Sequence, residues 1–160
     1  MSKEAIERTR YFSLQENWGD PDKVHDSLIF ALDLFRRHLG RRVHLSPVEG
    51  AVYAESGHHS DMSWHYIIPG RNDYAMAADV FPEGNIIEAW LIALTIPHFV
   101  GIGLYPFWKW ESKGLKGGLH LDIRYLGSYD NKALWWCDLY KVYKSLDMKV
   151  IFNLYNVGVL

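Results

Sequence analysis

Four of the eight histidines, His58, His59, His65 and His120, stand in stretches that read as loop or half-buried strand. A carboxylate, Asp79, stands inside the apolar run Ala77-Ala78-Asp79-Val80-Phe81. An unpaired charge in such a strand costs several kcal/mol, which a metal ion would offset; a salt bridge to Arg124 or a helix-cap role is the ordinary alternative. In Gly118-Leu119-His120-Leu121-Asp122-Ile123-Arg124, strand geometry puts His120, Asp122 and Arg124 on one face and the apolar residues on the other. His120 could then ligate while Asp122 orients it or handles a proton, although a solvent-facing strand edge would give the same pattern. Imidazole and carboxylate together suit a divalent ion, zinc above all. A catalytic zinc site usually keeps three protein ligands and leaves a fourth position open.

Positioning these groups falls to a modest set of elements. Asp20-Pro21-Asp22 predicts a helix start, with Val24, Leu28, Ala31, Leu32, Phe35 and Leu39 at helical spacing and Gly40 as the stop. Arg42-Val43-His44-Leu45-Ser46 alternates like a strand, and residues 49–74, polar and without a period, read as a loop of the kind that carries sites. A short strand over 74–81, a turn at Pro82-Glu83-Gly84-Asn85 and a helix over 85–96 follow. Strands over 100–105 and 118–124 flank a Trp-, Lys- and Gly-rich link. After a cap at Asp130, Trp135, Leu139, Val142 and Leu146 predict a third helix that includes a buried, structural Cys137, and residues 149–160 are an apolar tail. The expected fold is α+β, a small, mainly antiparallel sheet flanked by helices. No repeat or linker divides residues 1–160, so one domain is expected, with 131–160 as a C-terminal helical extension.

A chain of 160 residues, 49% hydrophobic, is long enough to bury a core. Its net charge of −2, with the basic residues scattered, lacks the electrostatic footprint of a nucleic-acid binder. The charged N-terminus has no apolar stretch behind it, so a product made in the cytoplasm without a signal peptide is expected. The apolar stretch 86–100 is broken by Glu88, Pro97 and His98 and falls short of the roughly 20 residues a membrane span needs.

Ser63-Trp64-His65, Ala77-Ala78-Asp79-Val80, Gly101-Ile102-Gly103-Leu104-Tyr105-Pro106 and Gly118-Leu119-His120-Leu121-Asp122-Ile123-Arg124 occur in that order. Together they resemble the motifs of zinc D-Ala-D-Ala carboxypeptidases, in the phage and bacterial peptidoglycan-peptidase branch of the Hedgehog/DD-peptidase superfamily. Tyr11-Phe12-Ser13-Leu14-Gln15-Glu16 is similar to that branch's leading segment, so the resemblance covers most of the chain. It implies a Hedgehog/DD-peptidase-like fold, Zn2+ as cofactor, and His65, Asp79 and His120 as the metal ligands, with His58 in Ser56-Gly57-His58 as rival to His65. It further implies a metallopeptidase, carboxypeptidase or endopeptidase in type, that acts on peptidoglycan peptide stems; a monomer is expected. Without a signal peptide, such an enzyme would be released to the cell wall by other factors.

Three departures from the family pattern bear on mechanism. The interval from His65 to Asp79 is longer than the family's and places an insertion in residues 66–74, which a surface loop tolerates. Gly117 stands where many relatives carry a glutamate base, although the His-x-Asp-x-Arg branch generally lacks it; Asp122 is the candidate to move the proton. Glu49-Gly50-Ala51-Val52-Tyr53 replaces a Ser-Gly-Tyr-Arg motif, leaving Arg124 and Arg71 as candidate readers of substrate. A non-catalytic, metal-bearing wall-binding or phage structural module is the alternative function, with Trp64, Tyr66, Trp108 and Trp110 as its aromatic platform. In a third reading no metal binds and the histidines are incidental.

Overall fold

In a computed structural model of the chain, which describes residues 2–124 and 132–158, the run around Asp79 is a strand, β2 (Ala77–Pro82), buried along its whole length. It is enclosed because β1 (Val43–Leu45) pairs on one side and β4 (Leu115–Asp122) on the other, both antiparallel. On the far side of β4 lies β3 (Gly101–Trp110), antiparallel to it, followed by β5 (Ala133–Cys137), parallel to β3, and β6 (Tyr143–Ser145) at the edge. The described residues thus form an α+β fold: an open, mostly antiparallel six-stranded sheet in the order β1-β2-β4-β3-β5-β6, with four α-helices. The Trp-rich link expected between two strands is itself sheet, because β3 and β4 extend into one long hairpin. Its turn is Glu111–Lys113 with Gly114 at φ 64°.

Alternation sorts the sheet into two faces. Ala78 and Val80 of β2, Leu119 and Leu121 of β4, and Ile102 and Leu104 of β3 join the core. Against them pack α2 (Asp26–Leu39), through Leu28, Ile29, Leu32 and Phe35, and α3 (Ile86–Thr95), through Ala89, Trp90 and Ala93. Asn85 caps α3 by accepting the Ile87 and Glu88 amides, and Gly40 ends α2 in the left-handed region at φ 68°. The opposite face of the sheet carries Asp79, His120, Asp122 and Gly103.

Two further expectations are corrected. Asp20-Pro21-Asp22 opens only a 3₁₀ turn (Pro21–Lys23). Val24 is held extended by pairing with Ala75, and α2 starts at Asp26 with the His25 ring accepting the Ser27 amide. The N-terminal segment forms α1 (Ser2–Arg8), too short to show a period, seated by buried Ala5 and Ile6.

The third helix and the helical extension over 131–160 are replaced by strands β5 and β6, with only α4 (Met148–Asn156) helical. The Asp138 carboxylate accepts the Tyr140 and Val142 amides at 2.9 Å each and folds the chain back as a hairpin. Leu139 and Val142 of the supposed stripe are left exposed. Cys137 is buried, as expected, but in a strand, and burial pushes its thiol pKa up. The expected cap Asp130 lies outside the described residues. No helix among those residues is long and apolar enough to cross a membrane.

Candidate metal centre

The polar face is organised as a cross-strand row. Asp79 of β2 is opposite His120 of β4, His120 is opposite Gly103 of β3, and Gly103 is opposite Trp135 of β5. Glycine is required in that row because a Cβ at Gly103 would collide with the Trp135 indole. One at Gly101, two residues along, would collide with the Asp122 carboxylate and Arg124. The Gly-x-Gly alternation on a strand was the available signal for these clearances.

Residues 46–76 form one long loop over this face, tied to it at several points. The Asp79 amide donates to Ala51 O at 2.7 Å, the Ser46 amide to Asp79 O at 2.8 Å, and the Met76 amide to Trp64 O at 2.8 Å. His65 arrives from this loop fully buried. The segment that follows it, expected as an insertion, folds back as a staple. Arg71 donates to the Met62 and Ser63 carbonyls at 2.6 Å each and lies 4.2 Å over the Trp64 ring. Asn72 donates to the Tyr66 and Tyr74 carbonyls at 2.8 and 2.7 Å. Arg71, expected as a substrate reader, therefore directs its guanidinium to the loop that delivers His65.

His65, Asp79 and His120 meet. His65 Nε2 is 3.4 Å from Asp79 Oδ1 and 3.2 Å from His120 Nδ1, and the latter is 2.9 Å from Asp79 Oδ1. A tetrahedral ion with bonds of about 2.0–2.1 Å spaces its ligand atoms by roughly 3.3 Å. The outer nitrogens are engaged as metal-binding imidazoles require. His65 Nδ1 donates to Val52 O at 3.0 Å, and His120 Nε2 lies 3.2 Å from Asp122 Oδ2. With Nδ1–H of His65 and Nε2–H of His120 fixed outward, two lone pairs and a carboxylate converge on one point, an arrangement that calls for a cation or a proton.

The electrostatics agree with that demand. Burial opposes charge on Asp79, yet His65 and His120 hold its carboxyl well below the usual carboxylate range. Burial likewise pulls His120 down, but the Asp122 and Asp79 carboxylates push it up to about 9. Asp122 is fully buried, and Arg124 and His120 keep it ionised against burial. Arg124 grips both of its oxygens, with Nε 2.7 Å from Oδ1 and Nη2 reaching Oδ2. Arg124 is thus the partner of Asp122, not of Asp79. Asp122, expected as a possible proton carrier, has both oxygens committed, Oδ1 to Arg124 and Oδ2 to Arg124 and His120.

His59 was not singled out as a ligand by its sequence context. Its ring stacks on His65 at 3.9 Å, and its Nε2 is 2.9 Å from Gly50 O. Ligand-capable atoms of His59, His65 and Asp79 all lie within 4.8 Å of one another. The Tyr66 hydroxyl accepts the His58 and His59 amides at 3.0 and 2.7 Å and fixes that stretch. His58, the rival to His65, turns its Nε2 toward Glu49 at 3.6 Å. Gly117, where the resemblance led one to expect a glutamate, has φ 77°, and a Cβ there would meet Ile86 of α3. An odd spacing from His120 on a strand turns that position to the core face, away from the cluster.

Two cavities of about 710 and 430 Å³ flank the cluster. Of the expected aromatic platform, only Trp64 and Trp108 line them, joined by Tyr105, Trp135 and Tyr143. Tyr66 is buried beneath His59, and Trp110 lies instead beside His44. Searches against protein-family models, curated proteins and solved structures gave no match to this chain.

Proposed function

We propose that the protein is a zinc metallopeptidase, built on a Hedgehog/DD-peptidase-like scaffold, that cleaves a peptide bond in the stems of bacterial cell-wall peptidoglycan. The observation that carries this reading is the convergence of His65 Nε2, Asp79 Oδ1 and His120 Nδ1 at 2.9–3.4 Å with both outer imidazole nitrogens engaged elsewhere. Zinc bound there would supply Lewis acidity toward the scissile carbonyl and an acidified water.

The chain's own groups divide the remaining work. Asp122, clamped by Arg124, holds the His120 ring and its tautomer. His59 donates Nε2–H to Gly50 O, so Nδ1 is left as an acceptor, and burial with the neighbouring His65 lowers its pKa and keeps it neutral. It is the group placed to take a proton beside the reacting atoms. Tyr105 lines both cavities, and burial pushes its phenol far up, so it stays a neutral donor. Its oxygen accepts from Trp135 Nε1 at 3.2 Å, and the neighbouring Tyr143 hydroxyl helps to hold it protonated.

Elemental analysis of the purified protein should give one zinc per chain, and digestion of peptidoglycan should release new amine termini. Stoichiometric metal without release would remove the peptidase reading. A non-catalytic wall-binding module is the second reading, favoured by one observation: both Asp122 oxygens are committed, so no carboxylate of the His-x-Asp-x-Arg motif is free to serve as base. Retention on intact cell walls with no amine release would support it.

A further inference from the structure

We infer that the tip of the β5–β6 hairpin, with three lysines beside it, docks on an anionic lipid surface: its apolar side chains enter the headgroup layer and the ammonium groups meet the lipid phosphates. This goes beyond the peptidase reading and needs neither zinc nor turnover.

Exposed turns are normally polar. The turn between β5 and β6 is not. Asp138 builds it: the carboxylate takes the Tyr140 and Val142 amides, the carbonyl takes the Lys141 amide at 3.1 Å, and the Asp138 amide donates to Val142 O at 3.1 Å. The backbone is thereby paired within the turn, and its apolar side chains are left outside. Leu139, Tyr140, Val142 and Tyr143 are between 49% and 85% exposed. Lys141 stands in the left-handed region at φ 62°, where glycine or asparagine fits more easily, so the tip keeps an ammonium at some backbone cost.

Two more lysines lie beside it. Lys109 and Lys116 are register partners in the β3–β4 hairpin, and like charges directly opposite one another destabilise a strand pair. Lys109 and Lys141 line the same cavity. All three are exposed, and among the described residues none of their ammonium groups makes a hydrogen bond or ion pair. Nearby acids are already engaged. Asp138 is held by Lys144 at 2.7 Å, while Glu49 and Asp79, the acids on that cavity wall, face His58 and the His65–His120 pair. On a chain of net charge −2, such a local excess of positive charge calls for an anionic partner.

Size and composition select the lipid. Four side chains at one tip present a few hundred Å², short of the roughly 800 Å² per partner of a stable protein interface. Tyrosine rings settle at the headgroup level, and lysines there are drawn to anionic lipid. Docking would bring the cavity that Lys109 and Lys141 share with Asp79 and His120 to the bilayer surface.

The test is cosedimentation of the full chain with vesicles, either phosphatidylcholine alone or equal parts phosphatidylcholine and phosphatidylglycerol. Binding to the mixed vesicles should be at least about tenfold tighter and should weaken as salt is raised. L139S/Y140S should bind about tenfold more weakly, and K109Q/K116Q/K141Q about 100-fold more weakly. All these positions are exposed, so melting temperatures should stay close to wild type.

No binding to the mixed vesicles overturns the inference. So does binding that L139S/Y140S leaves unchanged and a soluble glycerol phosphate polymer abolishes, which would make the lysines an anion site without lipid. Self-association that L139S/Y140S removes, with no vesicle binding, would give the tip to a second copy and overturn it as well.

Discussion

In the metal-free chain a proton has to sit among His65 Nε2, His120 Nδ1 and Asp79 Oδ1, since three acceptors within 3.4 Å of one another repel. His120 takes it, and its folded pKa of about 9 lies above the ordinary histidine value near 6.5. A raised basic group contributes stability that is fully present below its unfolded pKa and is lost as pH rises through the folded one. The melting temperature of chelator-treated protein should therefore fall as pH rises from about 6.5 through about 9. Zinc-loaded protein should hold steady over that window, because the ion replaces the proton. An unchanged metal-free Tm there would contradict the assignment.

Two substitutions separate the roles of neighbouring groups. Asp122→Asn, which keeps the shape and removes the charge that orients His120, should weaken zinc binding by about 10- to 100-fold in a competition titration. His59→Ala should leave zinc stoichiometry intact and lower turnover by about 10² to 10⁴; loss of the metal would instead make His59 a ligand.

Among the elements, the loop of residues 46–76 is the least regular and the most consequential, because it alone delivers His65. Its shape depends on Arg71, whose fork satisfies the Met62 and Ser63 carbonyls. Arg71→Ala should cost about 1–3 kcal/mol by leaving those acceptors without their partner. It should also weaken zinc binding although Arg71 is no ligand. Arg71→Lys should rescue little, since an ammonium cannot reproduce the planar fork. Thermal melts paired with zinc titration decide both points. The strands contribute rigidity of another kind: Asp79 and His120 are register partners, so their spacing is set by backbone pairing and persists whether or not an ion is bound.

On the scale of the whole molecule, the sheet separates stability from chemistry. Phe35, fully buried and edge-on to Phe99, belongs to the helix-covered face. Phe35→Ala should cost about 3–5 kcal/mol. Zinc at a hundredfold above its Kd should add about 2.7 kcal/mol by mass action. Because Phe35 lies on the face of the sheet opposite the cluster, the two effects should add within about 0.5 kcal/mol. Denaturant melts of wild type and variant, with zinc and with chelator, measure this directly; strong non-additivity would show that the faces are coupled.

The sequence by itself determined the local, periodic features. The stripe of α2, the Asn85-capped α3, and the alternation that puts His120 and Asp122 on one face and Leu119 and Leu121 on the other follow from side-chain spacing along one segment. So did the buried carboxylate at Asp79, whose apolar neighbours marked it as a charge in need of a partner. Tertiary structure decided whatever depended on a distant segment. Trp135, Leu139, Val142 and Leu146 fit a helical period, but the free edge of β3 and the Asp138 turn made strands of that region. Val24 left its helix because Ala75 paired with it. The meeting of His65, rather than His58, with Asp79 and His120, the task of Arg71 and the approach of His59 all rested on how a loop without periodicity closes over the sheet. No spacing rule encodes that closure, because its hydrogen bonds run between residues that only the folded chain brings together.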